Sequence, residues 1–239
     1  MAETAGETAG DQEGGGARRI RDAALLLFGE RGFGSTSLKA IAAEAGVSQA
    51  LIVHHYGSKE GLRTVCDEHV VRTIRVHKQE TISEAPQFDP LAGLRRMENG
   101  RPLLRYLVRT LAEGGPHASS MIDGMVSDAE AYMEQGERAG LIKPSTTPRD
   151  RAVLLVIWSL GALTLHEQVH RLLGADLLAH DVEVASLKRY LRPAVELYRQ
   201  GLVEEGAFDG LAEFLAEPEA ERRDPQRDLK VTGKDGESG

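Results

Sequence analysis

Residues 36–62 read TSLKAIAAEAGVSQALIVHHYGSKEGL, and the parsing of this stretch decides the fold. Leu38, Ile41, Ala42 and Ala45 recur at the spacing of one helical face, behind Thr36 or Ser37 as an N-cap. Gly46 suits a left-handed helix end, and Ser48 can cap a second short helix that begins at Gln49 and runs to about His55. Gly57 stops that helix, and Ser58 can cap a long one from about Lys59 to Gln79. Two short helices around a glycine turn match a helix-turn-helix, whose second helix enters the DNA major groove. Small three-helix units with no nucleic-acid partner show the same pattern, so the pattern alone leaves both readings open.

Upstream, Ile20, Ala23, Ala24, Leu27 and Phe28 form another apolar stripe, ended by the two glycines of ERGFGS. Downstream, SEAPQFDP reads as a loop, followed by helices at about 91–98, 102–113, 117–138, 149–173, 183–204 and 207–216. No strand-like alternation persists and no internal repeat is present, so the fold class is all-α. The expected organisation is a disordered acidic extension at 1–16, a helix-turn-helix head with its linking helix at 17–78, a larger helical body at 79–216, and a disordered tail at 217–239.

Charge supports this division. The net charge of −8 is distributed unevenly: 1–16 holds four acids and no base, whereas 17–78 holds ten Lys/Arg against six Asp/Glu. A basic head on an acidic body is the profile of a DNA-reading unit on a body that does not bind DNA, although a basic segment can equally be a solvated surface. The single cysteine, Cys66, excludes an intramolecular disulfide. The first residues lack the apolar stretch of a secretory signal, and the apolar run Ala152 to Leu165 is too short to span a bilayer. The expectation is a cytoplasmic protein with no membrane partner.

At the outward positions of the second short helix stand Gln49, Ala50, Leu51 and His54, with Val47, Ile52 and Tyr56 packing back. Glutamine can pair with adenine, and Ala or Leu can meet a thymine methyl. The words AALLLFGERGF, TSLKAIAAEAGVS and HHYGSKEGL resemble the N-terminal domain of TetR-family transcriptional regulators over about residues 17–66. The resemblance implies a dimer with a three-helix DNA head and a ligand-binding, dimerising body. It implies that Ser37 and Lys59 touch phosphates and that Lys39 lies at the groove edge. Gln49, Ala50 and Leu51 would approach base edges, and His54 and His55 would reach backbone or base, His55 with a partly structural role. Val53 stands where the family usually has a phosphate-binding tyrosine. Arg18, Arg19 and Arg21, at the start of the first helix, are read either as DNA contacts or as a solvated face.

The helices at 149–173 and 183–204 carry more apolar residues than one core-facing stripe requires, which points to a second copy of the chain on a two-fold axis reading a palindromic operator. For an effector pocket the candidates by type and position are Tyr106, Arg109, Met121, Met125, Tyr132, Trp158 and His166, although Met and aromatic residues at helical spacing also form plain core. Cys66 reads as a buried small hydrophobe, with a redox switch as the alternative.

One motif competes with this reading. HEQVH at 166–170 matches the helical H-E-x-x-H of zinc hydrolases, with His166 and His170 as ligands and Glu167 as base. It lacks an extended motif supplying a third ligand, and the chain has no strand to align a substrate. The expected function is therefore a non-enzymatic regulator with no cofactor and no metal, most simply a repressor released by an unknown small molecule. A zinc hydrolase, a TetR-like activator and a metal sensor are the alternatives.

Overall fold

The computed structural model describes residues 5–84, 100–179, 184–202, 204 and 206–216. The helix expected at 91–98 and the tail at 217–239 lie outside them. All described regular structure is helical: α1 (Ala5–Arg31), α2 (Leu38–Ala45), α3 (Gln49–Tyr56), α4 (Lys59–Ser83), α5 (Arg101–Glu113), α6 (Gly115–Arg138), α7 (Pro148–Thr164), α8 (His166–Leu173), α9 (Val184–Gln200) and α10 (Asp209–Ala216). The chain divides into two compact units, residues 1–192 and 193–239.

In the first unit, α1 packs on α2 and α5, α4 on α6, and α6 on α7. The core is continuous from head to body: Ile20, Ala24, Leu27 and Phe28 of α1 join Ile41, Ile52, Leu62 and Val70, then Tyr106, Leu107, Met121, Ala129 and Ala152. Phe28 is the bridge, with its ring 5.3 Å from that of Phe33 and 6.3 Å from that of Tyr106. The second unit contains the end of α9 from Pro193 onward and α10. Among the described residues no single helix is long and apolar enough to cross a membrane.

The structure differs from the sequence reading in two places. Helix α1 starts at Ala5, so part of the 1–16 extension expected to be disordered is helical, and Arg18, Arg19 and Arg21 sit inside a helix instead of at its start. Propagating an existing helix costs far less than nucleating one. The helix expected at 149–173 is two, α7 and α8, bent by 73° around Leu165. Thr164 directs its hydroxyl to the carbonyls of Leu160 and Gly161, competing with regular helix at the bend.

Candidate nucleic-acid interface and effector clefts

The head is held by caps at each turn. Ser37 Oγ accepts from Ala40 N at 3.1 Å and Ser48 Oγ from Leu51 N at 3.2 Å. Thr36, the other N-cap candidate, is buried and donates to the carbonyls of Gly32 and Leu27. Gly46 ends α2 at φ 64°, where a side chain would be strained. Between α3 and α4, Gly57 adopts φ 70° and Ser58 caps α4 by accepting from Gly61 N at 3.0 Å. A Cβ on Gly61 would lie 2.2 Å from the Tyr56 carbonyl oxygen, so this tight turn admits only glycine.

On α3, Gln49, Ala50, Val53 and His54 are exposed, and at 100° per residue they form one outward stripe. Leu51 is a correction to the sequence reading: it sits on the opposite side, half-buried against the core, and Val53 takes its place outside. His55 also turns inward, where its Nε2 is enclosed and without a hydrogen-bond partner. The Tyr56 hydroxyl donates to Ala17 O at 2.7 Å, which ties α3 to α1 and occupies the group that could have replaced the missing phosphate-binding tyrosine. Ser37 and Lys39, at the start of α2, are exposed, with the Ser37 hydroxyl hydrogen not used by its capping bond. Lys59 rests its Nζ 4.2 Å over the Phe33 ring. Of the three arginines, Arg21 pairs with Asp22 at 2.7 Å and Arg18 approaches it at 3.7 Å, while Arg19 is exposed.

Polar links absent from the sequence reading join head and body. Asp67 of α4 is buried, accepts from the Tyr106 hydroxyl at 2.6 Å, and lies 2.6 Å from Nδ1 of His117 on α6. Glu113, at the end of α5, accepts from Phe33 N at 3.1 Å and pairs with Arg63 of α4 at 3.3 Å. Arg63 and Asp67 fall four apart on the buried side of α4, and charged residues on a buried stripe are the sequence signal that partners exist elsewhere.

The seven pocket candidates do not share a cavity. Tyr106 and Met125 are core; Arg109 of α5 points to the end of α1, reaching Arg31 O at 3.5 Å; Trp158 is 61% exposed. Tyr132 packs partly buried against the core. Met121 lines a cleft of about 570 Å³ between α4 and α6, with Asp67, Val71, Arg72, Arg75 and His117 among its walls. His166 lines a second cleft of about 390 Å³ with Arg105, Glu167, His170 and Asp176. HEQVH forms the start of α8 there, facing an arginine that disfavours a cation. Among the described residues no group of three or more His, Cys, Asp or Glu is placed to hold a metal.

Cys66 is fully buried, and burial first, then the nearby Asp67 charge, pushes its thiol well above the usual range. Such a thiol is a poor redox sensor.

Comparison with known proteins bears on the same elements. Residues 20–64 match the family model for bacterial regulatory proteins of the tetR family, and residues 98–204 match that for a tetracyclin repressor-like C-terminal domain. The chain is 41% identical over 204 residues to the HTH-type transcriptional regulatory protein RaaS of Mycobacterium tuberculosis, covering 83% of this chain and 91% of that protein. Its fold is similar to that of the transcriptional regulator FadR from Bacillus subtilis, solved in complex with stearoyl-CoA, with a TM-score of 0.55 at 16% identity, covering 78% of this chain and 99% of that one. A transcriptional regulator from Aquifex aeolicus is similar with a TM-score of 0.52 at 20% identity, covering 76% of this chain and 98% of that one. With a capped helix-turn-helix at the matched N-terminal segment and a helical body behind it, the chain belongs to the TetR family of bacterial transcriptional regulators.

Proposed function

We propose that the chain is a repressor that binds a palindromic operator as a homodimer and is released by a small-molecule effector. The observation that carries this is the outward stripe of α3, where Gln49, Ala50, Val53 and His54 are exposed together while Ile52 fills the core. Gln49 reads a base edge, Ala50 and Val53 meet thymine methyls, and Ser37, Lys39, His54 and Lys59 meet backbone or groove edge. The head is residues 17–78 and the dimerising body 79–216, as the sequence division has it.

Support for the second copy comes from α7. Val156 and Ala152 face the core, yet Leu154, Ile157 and Trp158 at i, i+3 and i+4 are 51%, 51% and 61% exposed. A contiguous apolar stripe on a helix that already buries its other face marks an interaction surface. The α4–α6 cleft is the effector site: its wall is α4, the helix that begins at Lys59, so an occupant acts on the head through a single rigid element.

Selection from random duplex DNA with purified full-length protein tests the reading. An enriched sequence with two-fold symmetry and half-sites about one helical turn apart supports it. Enrichment of a single half-site contradicts the dimer, and no enrichment contradicts DNA reading by α3.

A further inference from the structure

Glu113 closes α5, a body helix, yet its carboxylate is directed at the head. Oε1 accepts from Phe33 N at 3.1 Å, Oε2 lies 3.3 Å from Nη2 of Arg63, and Arg109 Nε approaches Oε1 at 3.6 Å. An acid in the last turn of a helix is opposed by the helix dipole, so partners outside the helix must hold it there. The Phe33 ring in turn carries Lys59 Nζ at 4.2 Å and Arg63 Cζ at 4.5 Å, a cation–π platform for both. The corner preceding Phe33 is as closely fitted. Gly32 has φ 81°, and a Cβ there would stand 2.8 Å from both Arg109 Nη2 and Glu113 Oε1.

We propose that Glu113 is a positioning residue for DNA binding: it fixes the Phe33 backbone and the Arg63 guanidinium, and through the Phe33 platform it holds Lys59 in register for its phosphate. The proposal rests on the reading above that Lys59 contacts a phosphate. It makes the end of α5 the point where the body sets the head. A shift of α5 relative to α4 breaks the Glu113–Arg63 pair and the Phe33 bond together, and Lys59 loses its platform.

The test uses full-length protein and the DNA recovered by the selection, with affinity measured across a salt series. Lys59→Ala removes one phosphate contact per subunit, two per dimer, and lowers the slope of log K against log salt by about 1.8. Glu113→Ala is expected to lower that slope by the same amount and to weaken binding on the order of tenfold. The double variant Lys59→Ala/Glu113→Ala should be no worse than Lys59→Ala. Glu113→Gln keeps an acceptor for Phe33 N but no charge for Arg63, so it loses part of the slope and serves if the alanine variant is poorly folded. A purely structural Glu113 would reduce the active fraction and the melting temperature at unchanged slope, and that result overturns the proposal. So do additive losses in the double variant, or tighter binding on removal of the acid. If Lys59→Ala itself leaves the slope unchanged, the phosphate role of Lys59 is what has failed, and the positioning role falls with it.

Discussion

The Tyr106 hydroxyl lies 2.6 Å from Oδ1 of Asp67, both residues buried, and this bond fastens α5 to α4 beneath the larger cleft. The second carboxylate oxygen is taken by His117 of α6, so one aspartate serves three helices. Tyr106→Phe removes one donor from a carboxylate that keeps another, and should cost ~1–2 kcal/mol in urea unfolding. Asp67→Ala takes the carboxylate from the imidazole and leaves the phenol only the Arg63 carbonyl at 3.5 Å, and should cost about 3 kcal/mol. Equal losses for the two variants would contradict the shared role of Asp67.

Gly61 supplies a second test. Its missing side chain leaves room for the Tyr56 carbonyl, which a Cβ would meet at 2.2 Å. Backbone cannot swing aside as a flexible side chain can, so Gly61→Ala should destabilise by more than ~2 kcal/mol and disturb the α3–α4 corner. Gly34, with open space around it, is the control; Gly34→Ala should stay within about 0.5 kcal/mol of wild type. Thermal melts of the two variants make the comparison.

Burial raises the titration of three acids at once. It holds Cys66, Tyr56 and Tyr106 protonated above their usual ranges, with hydrogen bonding to Asp67 adding to the effect at Tyr106. A folded-state pKa above the unfolded value gives stability that is complete below the unfolded pKa and lost as pH rises beyond it. The loss therefore begins near the ordinary thiol range, about 8.5, and steepens near the phenol range, about 10, by up to ~1.4 kcal/mol per pH unit for each group. Urea midpoints measured from pH 7 to pH 10.5 should hold to about pH 8 and fall with increasing steepness above it. In native protein at pH 8 the thiol should resist alkylation and react on unfolding; rapid native labelling would restore Cys66 as a candidate sensor.

The helix-turn-helix was legible because its determinants are local: Ser37, Ser48 and Ser58 cap, Gly46 and Gly57 terminate, and each acts within four residues of itself. The outward stripe was legible only in part. Assigning Leu51 and Val53 to faces depends on where α1 lies, and a one-residue error in register turns a helix face by 100°. The bend at Leu165 went unread because Gly161 and Thr164 are compatible with a continuous helix, and only the structure shows the Thr164 hydroxyl bonded back to the Leu160 and Gly161 carbonyls. Glu113 and Phe33 are 80 residues apart, and no spacing rule joins them. The pocket candidates failed to converge for the same reason, since helical period places residues on faces but does not say which faces meet.

Trp158 makes the proposed dimer measurable. It is the single tryptophan, and in one copy it is 61% exposed. Dilution should shift its emission from the blue toward the value for a solvated indole as dimers dissociate. Trp158→Glu places a charge on the apolar stripe and should give a monomer by light scattering at concentrations where wild type is dimeric. A dimer unaffected by this change would place the interface elsewhere.

The most direct measurement is a base-by-base affinity profile of the selected operator with wild type and with Gln49→Ala. The account predicts that Gln49→Ala loses discrimination at one base pair per half-site, by ~1–3 kcal/mol, and keeps it at the others. An unchanged profile, or uniform weakening at every position, would mean that α3 does not read bases through Gln49, and the assignment of its outward stripe as the recognition surface would be wrong.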